Sequence, residues 1–373
     1  MQATNNREQK GLTIAQLKGQ VRRVDETNYY VRSQSGNGEY HIFASELGWL
    51  CSCADHMYRG QKCKHIFAVE FSQKLRATVQ KVVATIKPID AQACVSCNST
   101  HIVKDAKRKT KHGEIQRWRC RDCGKRFSFN LGFEKMRATP QVITTCMQLY
   151  FSGESLRGIQ KFLALQGIQK SHMSTYRWIA KYTSLMNEYL EKITPNVSDT
   201  WRADEVYVKV KGNLKYLFAM MDDETRFWMA QEVADSKERH DARGLFAKGK
   251  KVAGKRPAKI ITDGLWSYKE AYKREFFTIA NPRTIHEVSV MTKNQHDNNK
   301  MERMNGEFRD REKVMRGLKK SDTPILKGIQ LYHNYFRPHE GLNGDTPASQ
   351  AGIKIEGTNK WITVIQNATK LQN

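Results

Sequence analysis

Apolar and polar positions change rhythm several times along this chain, and each change marks an element. Residues 20 to 50 alternate over short stretches around the turn SQSGNGEY, as strands do. After Cys63 the run HIFAVEFSQKLRATVQKVVATIK keeps apolar residues at helical spacing, and Pro88 is expected to close that helix. Residues 140 to 182 read as several helices, and a linker containing Pro195 follows. From Trp201 the pattern turns to strands, RADEVYVKVKG, KYLFAMMD and RFWMAQEVA, with turns at Gly212-Asn213 and Asp222-Asp223. Short turns between such runs predict an antiparallel meander. Helix, strand (AKIITD), helix (SYKEAYKREFF), strand (TIHEV) and helix then alternate, the pattern of a mixed α/β sheet. The expected fold class is multidomain, α+β in the first half and α/β in the second, with no internal repeat or low-complexity tract.

Length and composition agree. A chain of 373 residues, 39% hydrophobic and 10% aromatic, exceeds one ordinary domain and carries enough apolar surface for two or more cores. Lys and Arg outnumber Asp and Glu 63 to 38, a formal charge of +25, which favours a polyanionic partner over an acidic metabolite. The excess is uneven: residues 101–150 hold 12 basic against 4 acidic residues, and residues 201–250 hold 10 against 9. No apolar run approaches the roughly 18 to 20 residues that span a bilayer, and the start MQATNNREQK has no signal-peptide core. A cytoplasmic, nucleoid-associated protein without membrane contact is expected. In that compartment thiols serve as metal ligands or core groups, and seven of the eight cysteines fall into tight spacings; Cys146, the eighth, is expected in a core.

The first cysteine cluster is CSCADHMYRGQKCKH. Cys51, Cys53, Cys63 and His65 form a complete tetrahedral Zn²⁺ set, a closed structural site without an open position for chemistry. The step C-x-C…C-x-H resembles the SWIM zinc finger over residues 28 to 72, and the pairing favours His65 over His56. A second set, Cys94, Cys97, Cys120 and Cys123, forms two C-x-x-C knuckles, the spacing of a zinc ribbon. The intervening KDAKRKTKHGEIQRWR is a basic hairpin whose Lys107, Arg108, Lys109 and Lys111 suit phosphate-backbone contact. Further on, Leu156, Ile159, Phe162 and Leu163 lie at helix-core spacing, Gly167 makes a turn, and Ser171 caps a second helix carrying Ile179. This is the pattern of a helix-turn-helix, presenting His172, Ser174, Thr175 and Arg177 to groove or phosphate.

Three acids stand apart. Asp204 shares strand parity with Val206, Val208 and Val210, so it lies on an otherwise apolar face, where an unpaired carboxylate is costly. Asp263 ends the apolar strand KIITD, and α/β sheets place ligands at such carboxyl ends. Glu302 is one position from Met301 in a helix striped by Met301, Met304, Phe308, Met315 and Leu318, at the edge of the buried face. Three such carboxylates suit a pair of Mg²⁺ ions roughly 3.5 to 4 Å apart. One near-motif is rejected: GKKVAGKR, residues 249–256, approaches a P-loop, but Arg256 stands where Ser or Thr should hold Mg²⁺ and no strand precedes it.

DEVYVKVKG, ITDG with Tyr268 five residues beyond its Asp, NNKMER and YHNYFRPHEGLNGDTPASQAG occur in that order. Together they resemble the DDE transposases of insertion sequences, from about residue 200 to 352. The resemblance implies an RNase H-like five-stranded mixed sheet flanked by helices, preceded by two zinc modules and a helical DNA-binding segment. The boundaries are 20–86 for the SWIM-type finger with its trailing helix, 91–130 for the ribbon, 140–190 for the helix-turn-helix and 199–352 for the catalytic domain. It implies Asp204, Asp263 and Glu302 as the triad holding two Mg²⁺ or Mn²⁺, with two structural Zn²⁺ elsewhere. The implied activity is 3′-end cleavage and strand transfer on double-stranded DNA, without a covalent protein intermediate, by a homodimer or higher assembly. Lys300 and Arg303 beside Glu302 are candidates for DNA phosphates, whereas Arg337, Pro338 and His339 are expected to fix the end of a C-terminal helix. The alternatives are a zinc-dependent DNA-binding regulator with an inert core and an RNase H-type nuclease that hydrolyses without joining.

Overall fold

The computed structural model describes residues 6–372 apart from 18, 26, 37, 47, 80–82, 90–92, 111–112, 129–130, 280–282, 290–298 and 316–317. The chain divides into two compact units, one of residues 1–82, 196–206 and 216–302, the other of 83–195, 207–215 and 303–373. Among the described residues no helix is long and apolar enough to cross a membrane.

The first unit opens with a helix the sequence pattern did not announce, Asn6–Gln16, which lies against the helix Lys64–Val79. A Cβ on Gly11 would stand 2.6 Å from the Cβ of Phe67, so glycine is what lets these two helices approach. The strands Val21–Arg23, Asn28–Arg32, Glu39–Ser45 and Gly48–Cys51 form an antiparallel sheet in chain order, with the SQSGNG turn joining the second to the third. Tyr29, Val31 and Ile42 from the sheet meet Ile14, Ile66 and Val69 from the helices in one core, which also buries Cys51, Cys53 and Cys63.

The five-stranded sheet that the resemblance implies is present, in the order Trp228–Ala234, Asn213–Asp222, Thr200–Val210, Lys259–Thr262, Ile285–Val288. The sheet is mixed: Trp228–Ala234 runs antiparallel to Asn213–Asp222, while Lys259–Thr262 is parallel to both its neighbours. Helices Arg239–Ala253 and Trp266–Glu275 accompany it, and Phe246 stacks between Phe276 (5.0 Å) and the fully buried Tyr268 (5.9 Å). The first hairpin turns one residue earlier than expected. Lys211 and Gly212, not Gly212 and Asn213, carry the positive φ (52° and 86°) that a two-residue hairpin matching strand twist requires.

In the second unit the basic hairpin forms as read, Ile102–Thr110 against Gly113–Cys120, with the short strand Arg126–Phe127 beside it. The helices Pro140–Phe151, Leu156–Leu165 and His172–Leu190 follow, and Ser171 caps the last by accepting from the Ser174 N–H at 3.3 Å. Cys146 is fully buried, and burial pushes its thiol up to about 11. Two expectations are corrected here. Phe162 is not core but 38% exposed, because the ten-residue helix buries only the narrow stripe of Ile159 and Leu163. The stretch before Pro88 is not helix: Ala84–Ile86 is a strand pairing in parallel with Ile353–Ile355. A helical spacing is a weak preference, and a partner strand more than 260 residues away overrides it where Thr85 and Ile86 are β-branched.

Candidate active site

Register brings the two aspartates together. Lys259 pairs with Thr200, Ile260 with Trp201 and Ile261 with Arg202, and two residues further along each parallel strand stands an aspartate, Asp263 beside Asp204. Their carboxylates and that of Glu205 lie within 4.8 Å of one another, all three half-buried. Burial raises Asp204 to about 7; repulsion from Glu205 and, more weakly, from Asp263 and Glu302 adds to this, against a hydrogen bond from the Glu205 N–H at 3.0 Å. Asp263 is raised by burial and by Glu205, opposed by the Leu265 N–H donating at 3.0 Å. Three carboxylates gathered with these repulsions form an all-oxygen donor set, which fits a hard divalent cation such as Mg²⁺ or Mn²⁺.

Glu205 escaped the sequence reading because alternate parity assigns it to the face opposite Asp204. Its side chain is 6% exposed, fixed by an ion pair with Lys237 and by the Tyr268 hydroxyl donating at 3.0 Å. The readable signal was the tandem Asp-Glu within the strand Thr200–Val210, with Tyr268 five residues beyond Asp263. Glu302 sits in the first turn of the helix Asn299–Met315, exposed beside the fully buried Met301. It is outside the 4.8 Å group, although its charge bears on Asp204. Asn298, the start of the NNKMER motif, lies outside the described residues.

Lys300 is engaged within the protein: its ammonium donates to the backbone oxygen (2.8 Å) and Oδ1 (2.9 Å) of Asp223. Burial works to raise Asp223, but Arg202 and Lys300 outweigh it and hold the carboxyl low. Arg303 and Arg177 are exposed, as are Lys107 and Arg108 on the basic hairpin; the Lys109 side chain and Lys111 lie outside what is described. In the P-loop-like stretch, residues 249–253 end a helix and Gly254 caps it at φ 63°, so no phosphate-binding loop exists there. His339 is buried and its ring lies 3.2 Å from the His333 carbonyl, while Arg337 pairs with Glu307.

Both cysteine sets assemble. The Nδ1 of His65 lies 3.8 Å from the Cys51 sulfur and 3.9 Å from that of Cys63, and Cys53 completes the group; His56 instead faces the Gln61 carbonyl at 2.8 Å. In the second set Cys94 and Cys123 are 3.7 Å apart, Cys97 and Cys120 3.6 Å. Those separations are far beyond a disulfide bond of about 2.05 Å and close to the edge of about 3.8 Å that a tetrahedron with Zn–S bonds of roughly 2.3 Å requires. The donor chemistry and spacing therefore fit Zn²⁺.

Residues 198–339 match a family model described as a DDE domain, that of IS240-type transposases. Two curated relatives from Staphylococcus aureus are similar: the transposase for insertion sequence-like element IS431mec and the transposase for insertion sequence element IS257 in transposon Tn4003. Each is 29% identical over 143 residues, covering 37% of this chain and 62% of the relative. The chain thus spans less than two thirds of the length of these relatives. Among solved structures, the HTLV-2 integrase catalytic core domain in complex with magnesium aligns with a TM-score of 0.32 at 16% identity, covering 43% of this chain and 98% of that one. A simian T-cell lymphotropic virus intasome in complex with PP2A regulatory subunit B56 gamma aligns at 0.33 and 15%, covering 56% and 73%.

Proposed function

We propose that this protein is a DDE-type DNA transposase that cleaves 3′ ends and joins them to target DNA with Mg²⁺ or Mn²⁺. The observation that carries the reading is the adjacency of Asp204 and Asp263 on neighbouring parallel strands, inside the stretch that matches the DDE domain. Asp204, Asp263 and Glu302 hold the ions. A bound pair of divalent ions supplies charge stabilisation at the attacking and leaving oxygens of an in-line phosphoryl displacement. Asp204 and Asp263 are rigid because strand pairing sets them, and Glu302 is delivered by a helix whose Met301, Met304 and Phe308 are buried. No Ser or Tyr nucleophile is required. Cys51, Cys53, Cys63 and His65 bind one structural Zn²⁺ in a SWIM-type finger, and Cys94, Cys97, Cys120 and Cys123 bind a second in a ribbon. The basic hairpin (Lys107, Arg108), Arg177 and Arg303 face double-stranded DNA, with two or more copies acting on paired ends, in the cytoplasm at the nucleoid. The domain order is finger, ribbon, helix-turn-helix and catalytic domain.

The test uses the full chain with duplexes copied from the DNA flanking its gene. Joined products are expected with Mg²⁺ or Mn²⁺, and Asp204→Asn or Glu302→Gln should lower joining by about 10³-fold or more while circular dichroism is unchanged. Wild-type protein that cuts but never joins would point to an RNase H-type nuclease, and full joining by Asp204→Asn would remove the proposed site.

A further inference from the structure

The second unit contains a cavity of about 530 Å³ framed by the starts of two helices and the end of a third. Ser155, the N-cap of Leu156–Leu165, lines it, as does His172, the first residue of the 19-residue helix His172–Leu190. Arg157 lines the same space, and Arg311, Lys313 and Val314 enter from the last turns of Asn299–Met315. Among the described residues that line it there is no Asp or Glu. Lys313 pairs at 2.8 Å with the equally exposed Asp310, and the Glu154 carboxylate lies over Gly158.

Arg311 is the second, independent observation. It is only 5% exposed, its guanidinium stands 4.0 Å over the Tyr150 ring, and Nη1 donates to the Glu154 carbonyl at 3.0 Å. Its Nε and Nη2 are buried with no hydrogen-bond partner among the described residues. A buried guanidinium with two unused donors and no carboxylate partner is costly unless an anion completes it. Two helix N-termini, whose free N–H groups and dipoles favour negative charge, open on the same space. We propose that this cavity binds a phosphate group, with Arg311 as the buried anchor, Arg157 and His172 at its sides, and the phosphate supplied by a DNA backbone. Only that source rests on the transposase reading; the anion chemistry does not.

Two measurements on the full-length protein test this: the melting temperature with inorganic phosphate against chloride at matched ionic strength, and the binding of a labelled duplex across a salt series. Val314→Trp fills the cavity while keeping every charge, Arg157→Ala removes one exposed cation, and Arg311→Lys keeps the charge but loses the fork. Phosphate should raise the wild-type melting temperature by a few degrees and raise it less in Val314→Trp and Arg311→Lys. Duplex affinity should fall about tenfold in Val314→Trp and Arg157→Ala, and Arg157→Ala should flatten the slope of log affinity against log salt by about one. If phosphate stabilises the wild type selectively but duplex binding is unchanged in every variant, the DNA source is overturned and free phosphate replaces it. Unchanged melting and unchanged duplex binding together overturn the site. Should Arg311→Lys fail to fold, the two surface variants decide. Neither readout involves cleavage or joining, so failure here leaves the Asp204 proposal standing, and loss of joining in Asp204→Asn leaves this one standing.

Discussion

Glu205 and Asp204 are neighbours in the chain, and the structure gives them different surroundings. Asp204 is raised by burial and by the carboxylates around it, whereas Glu205 is tied to Lys237 and Tyr268. If Glu205 contributes its charge to the ion site, Glu205→Gln should weaken Mn²⁺ binding, measured calorimetrically or by paramagnetic resonance, by about a hundredfold or more, since unit charges 4 to 5 Å apart at an effective dielectric near 20 interact by about 3 to 4 kcal/mol. Unchanged Mn²⁺ affinity would leave it as a packing partner of Lys237 and Tyr268. His339 makes a prediction of a different kind. Burial first, and the neighbouring His333 second, push its ring down to about 4, outweighing the hydrogen bond to the His333 carbonyl and the charge of Glu307. The unfolded chain takes up a proton near pH 6.5 that the folded chain refuses until about 4, so its contribution is intact above 6.5 and is lost as pH falls through that window. Urea unfolding at pH 7 and pH 5 should show a loss in wild type, on the order of 1 to 2 kcal/mol, that is smaller in His339→Asn. Equal losses in both proteins would remove His339 as the cause.

At the scale of elements, the two four-ligand clusters, proposed above as zinc sites, bear on how much core a small module needs. Among the described residues the ribbon cluster buries Cys94, Cys120 and Phe127 with a few flanking side chains, a small core for a hairpin of nine- and eight-residue strands to stand alone. Elemental analysis should therefore find about two zinc ions per chain, and Cys120→Ser should lose one of them and open the hairpin to trypsin at its many basic residues. Retention of both ions by Cys120→Ser would refute the second site. The finger differs: its thiols are set in a core that includes Tyr29, Ile42 and Ile66, so chelation should loosen it less. Elements whose stabilising partners are near in sequence were readable from pattern alone, the hairpin around SQSGNG and the Ser171-capped helix among them. Ala84–Ile86 was not, because its partner strand Ile353–Ile355 is remote and three residues carry too few periodic positions to separate strand from helix.

At the scale of the molecule, charge, ligand spacing and strand pattern are mutually consistent properties of the chain. The excess of 63 basic over 38 acidic residues, the two cysteine sets and the order of the acidic motifs are properties of the chain itself, independent of how it folds. Side-chain parity along Thr200–Val210 likewise placed Asp204 among buried valines, since strand geometry obeys a period of two wherever it forms. What remained was decided by packing between distant segments. The register of Lys259–Thr262 on Thr200–Val210 made Asp263 a neighbour of Asp204, and it drew Glu205 into the same group while Glu302 stayed outside it. Tertiary pairing also gave Lys300 to Asp223 and left Arg311 buried with unused donors. Local sequence determines which residues can serve as ligands and which faces are apolar, because those follow from side-chain chemistry and backbone period. Distances between ligands depend on the register of segments some sixty or more residues apart, which only the folded chain sets.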